Sequence, residues 1–342
     1  MMKKQALILF TISLICSSIL KAQDFHYSQF YAAPLFLNPA LTGSTELTRV
    51  GANYRKQWPG LGHDFNSYSA YFDHYSYDLR SGFGIAINSF RESNFNISTT
   101  DFSMFYAYNL RLSESMNFRM GTQLGLVRRN AALDNIIFGD QIDLFSRSIN
   151  QNTIDNLPDF DPYTYLDISF GGLLTGNSFW LGVSTHHINR PSLSFYPSQD
   201  FGYLPMKWSV HGGYTLPLGS NGYWGSTYDN QVSLLVNYKN QAPFKQLDLG
   251  TQAIYKGVIS GVSYRGIPGV RNMPNQDSII FLLGLALDSG VKIGYSYDFM
   301  ISNIGIQTRG AHEISIRHQF LMGNAKSRNQ RSRILKCFDY MM

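Results

Sequence analysis

The chain has 342 residues and a formal net charge of +5, yet only 15% of its residues are charged while another 15% are aromatic. Soluble domains carry about 25% charged residues, and the positive surplus here sits at the two ends, which argues against an ordinary soluble domain and against a nucleic-acid-binding body. Past the first twenty residues no apolar run approaches the roughly 20 residues that a membrane-spanning helix needs, so a helical membrane protein is excluded.

Lys3 and Lys4 precede an apolar stretch over residues 6–20 that is interrupted by Thr11, Ser13, Ser17 and Ser18. That is the layout of a secretory signal peptide, residues 1–22, with cleavage expected after Ala22. The stretch is too short for an anchor helix, and Ile15 is too bulky before Cys16 for a lipoprotein signal. Removing 22 of 342 residues leaves 320 and a single cysteine, Cys337, so no intrachain disulfide can form. Losing Lys3, Lys4 and Lys21 lowers the net charge from +5 to +2. The tail from Gly323 sets Lys326, Arg328, Arg331, Arg333 and Lys336 against Asp339, a net +4 that leaves the body near −2.

Residues 23–46 hold Tyr27, Phe30, Tyr31, Pro34, Phe36, Asn38 and Pro39. The segment is apolar but broken by prolines, so it is not a strand throughout. It is a candidate plug or periplasmic segment.

From residue 47 the pattern changes to alternation. Lipid accepts only helices and closed barrels, because every backbone polar group must be satisfied internally. A barrel strand then reads as about 10 residues of period-two hydrophobicity. Tyr68, Ala70 and Phe72 alternate with Ser67, Ser69, Tyr71 and Asp73; Phe83, Ile85 and Ile87 alternate with Gly82, Gly84, Ala86 and Asn88. Phe118, Met120, Leu124 and Leu126 oppose Arg119, Gly121, Gln123 and Gly125, and Ile314, Ile316, His318 and Phe320 oppose Glu313, Ser315, Arg317 and Gln319. The pattern predicts about 14 strands, near 47–58, 65–75, 81–91, 98–110, 115–129, 164–175, 177–188, 206–217, 229–239, 244–256, 258–267, 277–287, 290–300 and 310–321.

An all-β transmembrane antiparallel barrel over 47–321 follows, with an even strand count as bacterial single-chain barrels have. Connection lengths point the same way. Tight turns at 111–114, 175–176, 256–257 and 288–289 fall at even-to-odd junctions, and the long segments 130–163 and 189–205 fall at odd-to-even ones. The stretch 217–228 is the mismatch, being long on the short-turn side. A soluble β-sandwich also alternates, but low charge and aromatic faces count against it. Many inward positions are Gly, Ser or Asn. A barrel this wide is not filled by its own wall side chains, which leaves room for the segment 23–46. Both termini are expected in the periplasm.

Four stretches carry a family resemblance. Gln23-Asp24-Phe25-His26-Tyr27-Ser28-Gln29-Phe30, followed by Pro34-Leu35-Phe36-Leu37-Asn38-Pro39-Ala40-Leu41-Thr42-Gly43, resembles the start of the PorP/SprF family. These are outer-membrane proteins of the type IX secretion and gliding machinery of Bacteroidota. Tyr54-Arg55-Lys56-Gln57-Trp58-Pro59-Gly60, Gly294-Tyr295-Ser296-Tyr297-Asp298-Phe299 and Gly310-Ala311-His312-Glu313-Ile314-Ser315-Ile316 follow in the family's order. Between about 130 and 230 only the strand pattern matches. The resemblance implies a barrel that does no chemistry and needs no cofactor. It implies work in secreting large adhesin-like surface proteins, holding their type IX C-terminal domains at the cell surface, with periplasmic secretion-core lipoproteins as further partners.

Other motifs read more plainly. His312-Glu313 lacks the second histidine of a zinc protease, since Ile316 occupies that position. His186 and His187 would face opposite sides of a strand, one to the lumen and one to the membrane interface. Asp140, Asp143, Asp155, Asp159 and Asp161 in one long loop fit either a calcium site or a solvated loop, and their spacing is not that of an EF-hand. Trp58 is a membrane-interface anchor or part of a set in which Arg55 and Gln57 turn inward to fix the plug, with Asp298 and Glu313 as charge partners. The basic tail is a solvated terminus or a periplasmic contact.

The expected function is therefore an outer-membrane barrel that supports secretion and surface anchoring of an adhesin-like protein by binding its C-terminal domain. The alternative is a diffusion channel or uptake barrel for small apolar solutes. Neither an enzyme, a metal site nor a nucleic-acid partner is expected; outer-membrane lipid is. The candidate plug and lumen contacts are Tyr27, Phe30, Asn38, Pro39, Arg55, Gln57, Trp58, Asp298 and Glu313.

Overall fold

Period-two alternation sets the architecture, because a strand that is apolar on one side and polar on the other must put those sides in different solvents. The computed structural model describes residues 24–62, 64–93, 96–131, 139–143, 148–149, 161–193, 202–218, 230–267, 276–303 and 305–322. The expected signal peptide and the basic tail lie outside the described residues. Among the described residues no helix is long and apolar enough to cross a membrane.

The wall consists of β1 Thr48–Gln57, β2 Phe65–Ser76, β3 Ser81–Glu92, β4 Ser98–Arg111, β5 Asn117–Asn130, β6 Tyr163–Thr175 and β7 Phe179–His186. It continues with β8 Lys207–Pro217, β9 Gln231–Gln241, β10 Phe244–Tyr255, β11 Val258–Gly266, β12 Gln276–Ala286, β13 Val291–Met300 and β14 Ala311–Phe320. Each strand pairs antiparallel with its sequence neighbours, and β1 pairs with β14 from Thr48↔Phe320 to Gln57↔Ala311, which closes the barrel. Fourteen strands in up-and-down order are thus as expected from the sequence, and closure removes the exposed edges.

The two faces are inverted relative to a soluble protein. Met104, Leu124, Leu126 and Leu283 point outward and are exposed, Leu283 at 64%. Ser103, Arg119, Gln123 and Ser296 point inward and are buried. Outward leucine and inward serine on neighbouring positions are stable only if lipid, not water, lies outside.

Connections at one end are short: 77–80, 112–116, 176–178, 256–257 and 287–290. This is called the turn end, and residues 48 and 320 lie there. The loop end carries the long connections 131–162 and 187–206. Two junctions depart most from the rule: at the turn end β8 and β9 are joined by the long stretch 218–230, the mismatch expected from the sequence. At the loop end β9 and β10 are joined by residues 242–243 alone, where Ala242 takes φ +53° to close the hairpin.

Residues 24–47 lie inside the wall. Asp24 contacts Lys207 at the loop-end start of β8 and Gln241 at the loop-end finish of β9. Glu46 accepts from Arg119 near the turn-end start of β5. The segment therefore runs the length of the lumen before it enters β1. Its middle holds one helical turn, α1 Pro34–Leu37, and a 3-10 turn, Pro39–Leu41. Both turns start on a proline, whose fixed φ suits a first helical position and whose missing N–H needs no partner there. An even strand count returns β14 to the side on which β1 began, which led to the expectation of both termini in one compartment. Asp24 and Phe320 lie at opposite ends of the barrel; both termini themselves fall outside the described residues.

Candidate functional site

The loop-end half of the segment is held by a buried charge network centred on Ser28. The Ser28 hydroxyl donates to Asp298 Oδ2 at 2.6 Å and accepts from Arg55 Nη1 at 2.6 Å and Arg265 Nη2 at 2.9 Å. One donor and two lone pairs are thereby all used. The backbone N–H groups of Ser28 and Gln29 donate to the two carboxylate oxygens of Glu313, at 2.7 and 2.9 Å. Arg55 Nη2 reaches Asp298 at 2.8 Å and Nη1 reaches Glu313 at 3.3 Å. Arg265 adds Asp298 at 2.9 Å and, through Nε, Asp248 at 2.9 Å. Gln29 completes the hold: its Nε2 lies 3.2 Å from Ser296 Oγ, and its Oε1 accepts from Ser315 Oγ at 2.6 Å.

The middle is held by Asn38, which is fully buried. Its Oδ1 caps the 3-10 turn by accepting from Ala40 N at 2.8 Å, while its Nδ2 lies 3.1 Å from the carbonyls of Gly172 and Val183 and 3.0 Å from His211 Nε2. Such close approach to the wall needs glycine. A Cβ on Gly171 would collide with Asn38 Oδ1, and one on Gly121 with the backbone of Pro39 and Ala40. Phe30, Leu37, Ala40 and Leu41 pack with the inward Leu173, Trp180 and Leu235 into an apolar cluster. At the turn end, Arg49 grips Asp73 with Nε and Nη2, both at 2.8 Å, and Asp73 accepts from Gly43 N at 2.7 Å. Arg119 donates to the Gly43 carbonyl at 3.0 Å and pairs with Glu46 at 3.1 Å. These are bidentate or charge-assisted bonds between buried groups, the strongest kind.

The segment's loop-end tip is Asp24. Its carboxylate meets Lys207 Nζ at 2.6 Å and His187 Nε2 at 2.8 Å, and His187 Nδ1 meets Asp167 at 2.9 Å. Burial opposes charge on both Asp24 and His187, but their partners together outweigh it, His187 with Lys207 on Asp24 and Asp24 with Asp167 on His187. Asp24 falls well below the usual carboxylate range, and His187 is pushed up to about 9. A raised histidine contributes stability that is complete below its ordinary value near 6.5 and is lost as pH rises through about 9. A depressed carboxylate contributes above its ordinary value and loses it as pH falls. The tip should therefore be held most firmly between these limits. Corrected for the intrinsic rise of exchange with pH, opening at residues 24–30 is expected to increase above pH 9, and His187→Gln should remove that step and also weaken the acid side, because Asp24 then keeps only Lys207.

The residues singled out from sequence fall as follows. Arg55, Asp298 and Glu313 meet in one network, and Asn38 and Pro39 form the cap and first residue of the central turn. Tyr27 packs edge-on against Phe25 and Phe36, with ring centroids 5.8 and 5.4 Å away, and Phe30 joins the apolar cluster. Gln57 accepts only a long 3.4 Å contact from Arg55. Trp58 lies apart from the network: its backbone N–H donates to the Gly310 carbonyl and its ring meets Phe65 edge-on at 5.5 Å. Ser28, Gln29, Arg49, Asp73, Arg119, Asp248 and Arg265 were missed. For the five on strands, Arg49, Asp73, Arg119, Asp248 and Arg265, the signal was a charged residue at an inward position of a lipid-spanning strand, where it must find a partner; Ser28 and Gln29 carried no such signal. The expectation that His186 and His187 face opposite ways is corrected. β7 ends at His186, and His187 takes φ +58°, which turns its ring inward as well. Among the described residues no three metal-ligating side chains converge; Asp155 and Asp159 lie outside the described residues.

A family model described as type IX secretion system membrane protein PorP/SprF matches residues 19–318. No curated protein sequence matches the chain. Among solved structures it is similar to the Acinetobacter baumannii outer membrane protein Omp33, at 8% identity and a TM-score of 0.44 over 81% of this chain and 98% of that one. It is similar to CdiB from Acinetobacter baumannii at 7% identity and a TM-score of 0.42, over 80% of this chain and 60% of that one. A KdgM porin aligns at 6% identity and a TM-score of 0.37, over 80% and 99%.

Proposed function

The chain belongs to the PorP/SprF family of type IX secretion system membrane proteins, and from that membership we propose that it supports secretion and surface anchoring of a large adhesin-like protein by binding that protein's C-terminal domain. The observation that carries this reading over a diffusion channel is the interior. Residues 24–47 cross the lumen from end to end and are fixed at its loop end, middle and turn end by buried ion pairs and hydrogen bonds. We take this segment to be a plug. A channel needs a continuous polar path, whereas an anchor needs a rigid mouth.

Bacterial barrels keep short turns in the periplasm and long loops outside. On that rule the turn end and residue 320 face the periplasm, where secretion-core lipoproteins are in reach. The loop end, with Asp24 at its mouth, faces the surface, where the cargo arrives.

Deleting the gene should leave one large surface protein undisplayed or released into the medium, read by surface proteolysis and by mass spectrometry of the supernatant. Normal display would overturn the proposal. Purified barrel in planar bilayers should conduct far less than an open barrel of similar strand number. Steady porin-like conductance would favour the channel reading.

A further inference from the structure

At the loop end the threaded segment leans toward β8–β14, and a cavity of about 340 Å³ remains between it and strands β2–β7. That volume lies in the range of small-ligand sites. One side is aromatic. Phe36, Phe25, Phe90 and Phe65 form a continuous stack, with successive centroids 4.8, 5.4 and 5.9 Å apart. The stack already carries one cation, since Lys207 Nζ lies 5.0 Å from the Phe36 centroid.

The opposite side is rich in acceptors. Asp101 lines it, held by Asn88 Nδ2 at 3.0 Å and Ser103 Oγ at 2.7 Å, and has no ion pair among the described residues. Asn88 is itself 3% exposed, and its side-chain oxygen receives no hydrogen bond. The neighbouring Asp24 and Asp167 are engaged with Lys207 and His187. The lining thus sets four carboxylates, Asp24, Glu92, Asp101 and Asp167, against Arg129, His187 and Lys207, and the ion pairs of Lys207 and His187 leave Asp101 unmatched.

We propose that this vestibule receives one cationic side chain, an arginine or a lysine, from a polypeptide docked at the barrel mouth. Ring faces attract a desolvated cation, the long apolar stem of either side chain suits the phenylalanine stack, and Asp101 is the unpaired counter-charge. The lining residues Arg129, Tyr165, His187, Leu193 and Leu204 lie at the bases of the two longest connections, at the end where a docked chain would lie. The identity of the docked chain rests on the secretion reading above; the chemistry of the cavity does not.

The test uses the full barrel in detergent micelles and saturation-transfer NMR with capped amino-acid amides. N-acetyl-arginine amide and N-acetyl-lysine amide should bind, and N-acetyl-norleucine amide at least tenfold more weakly. Asp101→Asn should weaken the cations about tenfold, whereas Glu114→Gln, an exposed carboxylate at the turn end, should change nothing. Thr99→Trp, which fills the cavity from its rim and spares Asp101, should abolish binding; retained heat-modifiable migration certifies that each variant is folded. Equal binding of norleucine, glucose and the cations, no binding of the cations, or insensitivity to Asp101→Asn in a folded barrel would each overturn the proposal. So would tighter binding of free L-arginine than of its capped form, which would mark a solute site. If the cations bind as expected but display of the surface protein survives deletion of the gene, the vestibule stands and the secretion reading falls. If display is lost but the cations do not bind, only the vestibule falls.

Discussion

Arg55→Met is expected to destabilise the barrel by about 3–5 kcal/mol, the usual cost of removing one partner from a buried ion pair. Arg55 and both its carboxylate partners are almost fully buried, at 3%, 1% and 0% side-chain exposure. Without it, Asp298 keeps Arg265 but Glu313 keeps only the backbone amides of Ser28 and Gln29. A buried carboxylate with no cation costs more than the pair contributes. Arg55→Lys should recover part of the loss, because an ammonium supplies charge but cannot span Asp298, Glu313 and Ser28 together. Guanidinium unfolding of the micelle-bound barrel, followed by tryptophan fluorescence, measures both. A loss under about 1 kcal/mol for the methionine variant would mean that Arg55 does not hold the segment. Protease access to residues 24–47 should rise in step with the destabilisation.

The second large effect is steric. Gly121→Leu should force the 3-10 turn off the wall, because even a Cβ there overlaps the backbone of Pro39 and Ala40. That turn cannot retreat alone, since Asn38 is tied to Gly172 and Val183. Overpacking a filled interior costs about 1–3 kcal/mol, occasionally more. Here the strain has an outlet that a soluble core lacks, namely departure of the segment from the lumen. Gly121→Leu should therefore both lower stability and raise single-channel conductance several-fold. Gly172→Ala is the control, because its nearest neighbours sit at ordinary contact distances of 3.5–3.7 Å. An unchanged conductance and stability for Gly121→Leu would show that the turn is not wedged against the wall.

The wall was legible in the sequence because period-two alternation is local. Ser67, Ser69, Tyr71 and Asp73 announce an inward face without reference to any other strand, and hydrophobic exposure of the opposite face follows. Strand ends were less legible where one residue leaves the β region. His187 at φ +58° stops β7 short, and Ala242 at φ +53° lets β9 run on to Gln241. The interior was the least legible part. Ser28 and Glu313 are 285 positions apart, and Asn38 meets carbonyls 134 and 145 positions away. No spacing within 24–47 encodes such partners. Arg55 with Asp298 and Glu313 could be guessed, since like inward parity brings opposite charges into one lumen. Arg265 could not be distinguished from any other inward polar residue until the path of the segment was known.

The network around Ser28 straddles the seam where the barrel closes. Arg55 belongs to the first strand and Glu313 to the last, opposite each other in the register that joins β1 to β14. One of the earliest stretches of the chain to be synthesised thus finds its acceptor on the final strand. Until β14 arrives, the Ser28 and Gln29 amides and the Arg55 guanidinium lack Glu313. The threaded stretch is in this sense a clasp that closes only when the last strand of the barrel is in place. A chain truncated before Ala311 would leave β1 with an unpaired edge and Ser28, Gln29 and Arg55 without Glu313 at once, so loss of the last strand unseals the wall and releases the clasp together.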